Sequence, residues 1–430
     1  MIDIVTTIEQ PYVSQSGESG CSAIAQANLP PDVSVATIPA SLVVTPSLAR
    51  GAIYSLTSSH SLESWSERQL ICTYICLHWL YPDENRPACL RYKPYLDCLP
   101  SFGKLTTPMQ FSEDELRAFA GTNIHGAVLD RRKQLKLEWE TCQPLMQQLS
   151  LSARINDGNQ SYSQWENWYY SSATYLSSRA FPSSLLDRTP SLESSPTNYP
   201  ILLPVLDSLN HRRAQPVSWV IGRSSEPEVS TETTISIVSH DAFNEGQEIY
   251  NNYGPKPNSE LILGYGFSLP NNPDDTIVLQ LGGSAKKHEV GRNARGAETL
   301  WEEMLEAVRT EETPAFQTEL DAADFLQEML QMKLSKGLFQ DSEPQLALQI
   351  SNSSIERGTI GSMALRLTEF RVSSLDVRPA TRQMLEHYME GQIDILISLM
   401  GFAQRKEELA LATAKSLGAE FLDGEEEWED

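Results

Sequence analysis

Two short segments gather residues whose types and spacing could do chemistry together. The first is Pro204-Val-Leu-Asp207-Ser-Leu-Asn210-His211. The second begins as Gly246-Gln-Glu-Ile-Tyr250-Asn251-Asn252-Tyr253-Gly254 and continues through Asn258-Ser-Glu260-Leu-Ile-Leu-Gly264-Tyr265-Gly266-Phe267. Carboxylate, amide, imidazole and phenol groups can hold a ligand, orient a nucleophile or carry a proton. Each also has a structural reading. Tyr253 taken alone is more often a core or edge aromatic, and Asn210 suits a turn. His211 alone is more often structural than catalytic, and Asp207 could cap a turn. The other histidines, at 60, 78, 125, 240, 288 and 387, have no ligand spacing. The six cysteines form no CxxC pair and no HxxxH accompanies them, so no metal is expected. Cys72 and Cys76, four apart on a predicted helix, read as small buried apolar residues.

The chain has 430 residues, of which 40% are hydrophobic. That length exceeds what one core usually holds and predicts roughly two or three lobes. Its 57 Asp and Glu outnumber 33 Lys and Arg, for a formal charge of −24. Such a field repels nucleic acid and anionic membranes and attracts basic partners, although on charge alone a solvated acidic surface with no binding role is the commoner reading. No basic region followed by an apolar run opens the chain, so no secretory signal is expected. No apolar window is long enough to predict a membrane span. These features predict a reduced, soluble, monomeric protein of the cytoplasm, the nucleus or both.

The pattern around the two segments predicts the elements that must position them. Residues 12–50 carry short β-like runs, with Val33–Ile38 alternating. Pro216–Ile221, Thr234–Val238 and Thr276–Leu281 read as strands. Helical periodicity begins at Leu62, with Leu70, Ile71, Tyr74, Ile75, Leu77 and His78 on one side, and Pro82 ends it. Ser112 to Glu115 is a capping box. A helix over 127–149 is expected to be interrupted at Pro144. An aromatic-rich helix over 164–178 should build core through Trp165, Trp168, Tyr169 and Tyr175. Residues 183–199, rich in Ser and Pro, read as a surface loop. Beyond residue 296 the sequence is helical: Leu300, Trp301, Met304 and Leu305 share one face, and Phe325, Leu326, Met329 and Leu330 another. Residues 380–417 predict two helices broken near Gly401, and residues 419–430 an acidic, frayed tail. Strands and helices do not alternate as βαβ units, and no GxGxxG follows a strand, which argues against a Rossmann-type fold.

Together the two segments resemble the C-terminal signatures of the SET methyltransferase domain. The branch is that of the Rubisco large-subunit methyltransferase and its ribosomal-protein-modifying relatives. The match covers roughly residues 14–282 and, more loosely, the C-terminal helices. Ser19-Gly20-Cys21-Ser22 is similar to the Gly-rich opening strand-turn, with Ser22 where the family carries its second glycine. Tyr92-Lys-Pro-Tyr95-Leu-Asp-Cys-Leu99-Pro100 resembles the start of the family's helical insert, and Trp165 with Ser178-Arg179-Ala180-Phe181 resembles its end.

The resemblance implies an α+β fold: a β-rich, knot-like SET core, a helical insert and an all-helical substrate-binding lobe. The implied boundaries are 1–61 and 200–282 for the core, 62–199 for the insert and 296–418 for the lobe. It implies S-adenosylmethionine as cofactor, contacted by Ser19, Gly20, Cys21, Arg179, Asp207, Asn210, His211, Tyr253 and Phe267. Tyr253 matches the catalytic tyrosine, while Ser178, Phe181, Tyr250 and Tyr265 would line the channel for the target side chain. The implied reaction is methylation of lysine on a basic, non-histone protein, such as a ribosomal protein or a translation factor. Histidine methylation and a non-catalytic SET-fold binding module stay open as alternatives.

Methyl transfer from a sulfonium needs a neutral amine, whereas a free lysine titrates near about 10.4. A narrow apolar channel disfavours the ammonium form, and the positive sulfonium pushes the same way. No strong base is then required, and none stands out. Orientation remains, with the lone pair about 3–3.5 Å from the methyl group. A tyrosine hydroxyl and backbone carbonyls can supply it.

Overall fold

The computed structural model describes residues 11–15, 21–57, 61–152, 162–187, 189–192, 195–223, 233–334 and 360–418. Ser19, Gly20, parts of the 183–199 loop and the acidic tail lie outside the described residues. The described elements are β1 (Pro11–Gln15), β2 (Cys21–Ala25), β3 (Val33–Pro39), α1 (Pro46–Leu56), α2 (Glu67–Leu80), α3 (Lys93–Leu96), α4 (Glu113–Ala118), α5 (Asn123–Ser152) and α6 (Tyr162–Arg179). There follow β4 (Ala180–Pro182), β5 (Pro200–Leu202), β6 (Val217–Arg223), β7 (Thr233–Ser239), α7 (Asn258–Glu260), a π-turn over Leu261–Tyr265, β8 (Thr276–Leu279) and β9 (His288–Gly291). The last are α8 (Ala297–Val308), α9 (Ala315–Lys333), α10 (Ile360–Val372) and α11 (Pro379–Ser416). The chain divides into two compact units. The first comprises Met1–Gln110, Val128–Pro255 and Gly264–Gly266; the second comprises Phe111–Ala127, Lys256–Leu263 and Phe267–Asp430.

In the first unit, β7 is the middle strand of an antiparallel β3–β7–β6 sheet. The alternation read from the sequence sets Ile235 and Ile237 on one face, where they are buried with Ile38, Leu203, Leu206 and Ile249. A second core forms around α2. Its capping box closes through Ser66 N to Gln69 Oε1 at 3.0 Å and Gln69 N to Ser66 Oγ at 3.2 Å. The helix is buried around nearly its whole circumference, and Trp165, Tyr169, Ala173 and Leu176 of α6 join its cluster. Cys72 and Cys76 are fully buried, as their spacing predicts. Burial pushes the Cys76 thiol up to about 12, so it remains a thiol at neutral pH.

Three elements differ from the sequence expectation. Helix α1 stands where only β-like runs were visible; Thr45 caps it, accepting from Leu48 N at 3.1 Å, and Pro46 occupies its first turn. Helix α5 runs through Pro144 without interruption. A mid-helix proline costs about 3 kcal/mol, but Cys142, Leu145, Met146 and Leu149 around it are core residues, and their burial holds both flanking turns. Helix α11 likewise passes Gly401 unbroken, because Met400, Phe402 and Ala403 are buried on either side.

In the second unit, Glu115 does more than close its capping box with Ser112. It also accepts from Arg378 Nε at 2.6 Å, Arg378 Nη2 at 2.9 Å and Thr381 Oγ1 at 2.7 Å, joining α4 to α11. Nearby in the same unit, Arg292 serves three carboxylates: Glu390 at 2.5 Å, Asp394 at 3.0 Å and Asp275 at 3.1 Å. Burial pushes the Asp275 carboxyl up to about 6, and the hydrogen bond from Asn258 N and the Arg292 charge offset this only in part. An unfolded aspartate titrates near about 3.9, so between those values the native state binds the extra proton. Its stabilisation is complete below about pH 4 and is lost as pH rises through 6. The expected loss is about 3 kcal/mol. Urea titrations should show Asp275→Asn missing that fall between pH 4 and 7; an equal fall in the variant would refute the assignment.

Candidate active site

The two chemically rich segments meet side by side. Asn251 N donates to Asn210 O at 2.8 Å and Arg212 N donates to Asn251 O at 2.9 Å, which pairs His211 with Asn251 in a parallel bridge. The second segment holds its own turn. Asn251 Oδ1 accepts from Asn252 N at 2.7 Å, and Asn252 Oδ1 accepts from Gly254 N at 3.0 Å. Gly254 has φ +91°, a conformation that glycine adopts freely. This turn delivers Tyr253 onto His211.

Tyr253 is the middle ring of a three-ring stack. Its centroid lies 5.0 Å from His211 on one contact and 5.0 Å from Tyr265 on the other, with interplanar angles of 25° and 23°. Its hydroxyl donates to Leu209 O at 2.8 Å. Its backbone N donates to His211 Nδ1 at 3.1 Å, which assigns the imidazole proton of the neutral ring to Nε2. Burial pushes the Tyr253 phenol up, with the Arg179 charge opposing. The phenol therefore stays protonated at neutral pH and can orient a ligand without acting as a base.

Arg179 reaches this region because α6 ends on it and passes into β4, whose Phe181 pairs with Ile201 of β5. The chain then enters Pro204–His211 through Val205. This β-branched residue sits at φ 77°, ψ −49°, close to the rare γ-turn geometry that is strained for such a side chain. Asp207 follows and is buried. Its carbonyl accepts from Arg179 Nη1 at 2.9 Å, and its carboxylate lies 3.9 Å from the same nitrogen and accepts from the Tyr95 hydroxyl. Burial pushes the Asp207 carboxyl up, and the Arg179 charge and the Tyr95 bond work against that. Burial alone would lower the Arg179 pKa, but Asp207 together with Tyr95, Tyr253 and Tyr175 outweighs it and holds the guanidinium pKa raised.

Asn210 Nδ2 donates to Glu248 Oε1 at 2.8 Å and lies 3.5 Å from Ser22 Oγ. Tyr250 donates to the other oxygen of Glu248 at 2.7 Å, and the Arg212 guanidinium lies 4.3 Å from the Tyr250 ring centroid. Phe181 meets Trp219 edge-on at 5.0 Å, and the Trp219 indole N–H is buried without a partner among the described residues. Tyr265 closes the π-turn, and Ser177 Oγ donates to Gly264 O there at 3.2 Å. Such turns recur at functional sites.

Arg179, Asp207, Asn210, His211, Tyr250, Tyr253 and Tyr265 thus form one connected constellation within the first unit. Ser178 turns its hydroxyl back to Thr174 O of its own helix at 2.8 Å. Cys21 enters as the first residue of β2, paired with Gln15 of β1. Phe267 is counted with the second unit. Sequence reasoning gave no role to Tyr95 or Glu248, although both stand inside the quoted motifs. Ser22, noted only as a departure from glycine, meets Asn210. Among the described residues no group of three His, Cys, Asp or Glu could hold a metal, and no helix is long and apolar enough to cross a membrane.

No family model matches the chain. It is 30% identical over 259 residues to the ribosomal lysine N-methyltransferase set10 of Schizosaccharomyces pombe, covering 60% of this chain and 42% of that protein. It is 30% identical over 219 residues to the Saccharomyces cerevisiae protein-lysine N-methyltransferase EFM1, covering 44% of this chain and 35% of that one. Human N-lysine methyltransferase SETD6 is 27% identical over 206 residues, covering 46% and 39%. The chain therefore spans less than half the length of these relatives. Among solved structures, Rubisco LSMT bound to AdoMet superposes with a TM-score of 0.57 at 16% identity, covering 97% of this chain and 94% of that one. The SET domain of LSMT bound to lysine and AdoHcy gives 0.56, covering 98% and 94%. The chain has the mixed helix-and-strand fold of the LSMT SET-domain structures, and its sequence relatives are ribosomal lysine N-methyltransferases and SETD6-like SET proteins.

Proposed function

We propose that the protein is an S-adenosylmethionine-dependent protein-lysine N-methyltransferase. Its client would be a basic, non-histone protein, with ribosomal proteins and translation factors foremost. The observation that carries this reading is the pairing of Asn210–Arg212 with Asn251, which stacks Tyr253 between His211 and Tyr265. Relatives named as ribosomal and other lysine N-methyltransferases support it, as do neighbours solved with AdoMet, AdoHcy and lysine.

The residues suit the cofactor. A zwitterionic amino-acid end calls for a cation and for hydrogen-bonding groups, which Arg179 and Asn210 are; Ser19, Gly20, Cys21, Asp207, His211 and Phe267 would complete the contacts. When bound, S-adenosylmethionine supplies an electrophilic methyl group. Phe181, Tyr250 and Tyr265, with Ser178, would wall the channel in which burial keeps the lysine amine neutral. The protonated Tyr253 hydroxyl and the Leu209 carbonyl would hold that amine in line. Residues 1–61 and 200–282 would form the knot-like core, 62–199 the insert and 296–418 the lobe that docks the client. The acidic charge suits a basic protein and disfavours nucleic acid and anionic membranes. The enzyme would work as a monomer in cytoplasm or nucleus.

The decisive assay incubates purified protein with radiolabelled S-adenosylmethionine and fractionated eukaryotic lysate, beside the Tyr253→Phe variant. A labelled protein band made by the wild type and not by the variant is expected. Its absence, together with no thermal shift from the cofactor, would overturn the reading. Asn210→Ala should weaken S-adenosylhomocysteine binding about tenfold; an unchanged affinity would remove Asn210 from the cofactor site.

A further inference from the structure

Glu248 has no role in the site as read so far, yet its carboxylate holds the side chain on which cofactor recognition would turn. Oε1 accepts from Asn210 Nδ2 at 2.8 Å, and Oε2 accepts from the Tyr250 hydroxyl at 2.7 Å. Tyr250 is itself covered by the Arg212 guanidinium at 4.3 Å. The backbone places this carboxylate firmly. Glu248 bridges to Ile24 of β2, flanked by Ala25 N to Gln247 O at 2.8 Å and Ile249 N to Ala23 O at 2.8 Å.

We infer that Glu248 is a positioning residue that fixes which way round the Asn210 amide stands. A carboxylate only accepts hydrogen bonds, so it selects the NH₂ end of the amide and turns Oδ1 away from itself. Ser22 Oγ, 3.5 Å from the same Nδ2, stands on that side too. Resting on the cofactor reading above, the inference gives the consequence of that choice. The amino group of the cofactor's amino-acid end is a donor-only ammonium and needs an acceptor. An amide held with its Nδ2 on Glu248 would present Oδ1 as that acceptor, whereas a freely flipping amide would present its own N–H groups part of the time. The Glu248 charge, relayed through Asn210, favours the ammonium as well. Discrimination would therefore fall on the amino-acid end of the ligand and leave the nucleoside end untouched.

Variants at this position should fold. Glu248 borders a surface cavity of about 230 Å³ with Arg212, Asp241 and Tyr250, so shortening it enlarges a space already present. Two ligands separate positioning from a general structural effect. S-adenosylhomocysteine carries the amino-acid end, and 5′-methylthioadenosine is the nucleoside thioether without it. Isothermal titration of both against wild type, Glu248→Gln and Glu248→Ala should show S-adenosylhomocysteine binding weakened about tenfold in the variants. Methylthioadenosine binding should stay within about twofold, which also reports an intact fold. Glu248→Gln is the sharper variant, because its amide keeps the size but accepts either orientation of Asn210. Equal losses for both ligands, or no loss for either, would overturn the inference. Failure of the wild type to bind S-adenosylhomocysteine would overturn the cofactor reading and, with it, the role of Glu248.

Discussion

Tyr253→Phe is expected to lower kcat about a hundredfold while changing cofactor affinity by less than about threefold. The substitution removes one oxygen and leaves the ring. The stack on His211 and Tyr265 depends on the ring, so the turn built by Asn251, Asn252 and Gly254 should persist. What disappears is the hydroxyl that donates to Leu209 O, a net loss of about 1 kcal/mol in stability. Burial keeps that hydroxyl protonated; on the proposed function it would orient an amine, and misplacing an amine by an ångström costs rate far more than binding. Single-turnover kinetics with a labelled client, together with calorimetric cofactor binding, would separate the two effects. A variant with full turnover would remove Tyr253 from the reaction; one that lost affinity and turnover equally would make it a binding residue.

The second large effect is expected at Gly266. It adopts φ +78°, and a Cβ there would stand 2.6 Å from Thr106 Oγ1 and 2.7 Å from both Thr106 C and Thr107 N. Two of those three atoms are backbone and cannot step aside as a flexible side chain would. Gly266→Ala should therefore cost about 3–5 kcal/mol, combining left-handed strain with overlap. Gly264, two residues earlier, is the control: a Cβ there would meet only Ser177 O, at 3.9 Å. Gly264→Ala should be close to neutral in denaturant unfolding. Equal stabilities for the two variants would show that the chain near Thr106 yields easily.

Much of the molecule was legible in its residues. The alternation in Thr234–Val238 and the capping residues Ser112 and Glu115 named their elements correctly, and the pair Cys72 and Cys76 is as buried as its spacing predicts. The two segments were singled out by their joint pattern, and they pair side by side in the fold. Continuity at Pro144 and Gly401 was misread, because local cost was visible and the burial that offsets it was not.

The sequence by itself determined periodicity, capping and the resemblance, because each is local: one face of a helix or strand, or one turn closing on itself. Only the tertiary structure decided partners. Tyr95 meets Asp207 across 112 positions and Asn210 lies beside Ser22 across 188. The imidazole tautomer of His211 and the orientation of the Asn210 amide are likewise set by what packs opposite. A residue's type fixes which hydrogen bonds it can make; which one it makes depends on closing long loops, and that information is carried by the whole fold.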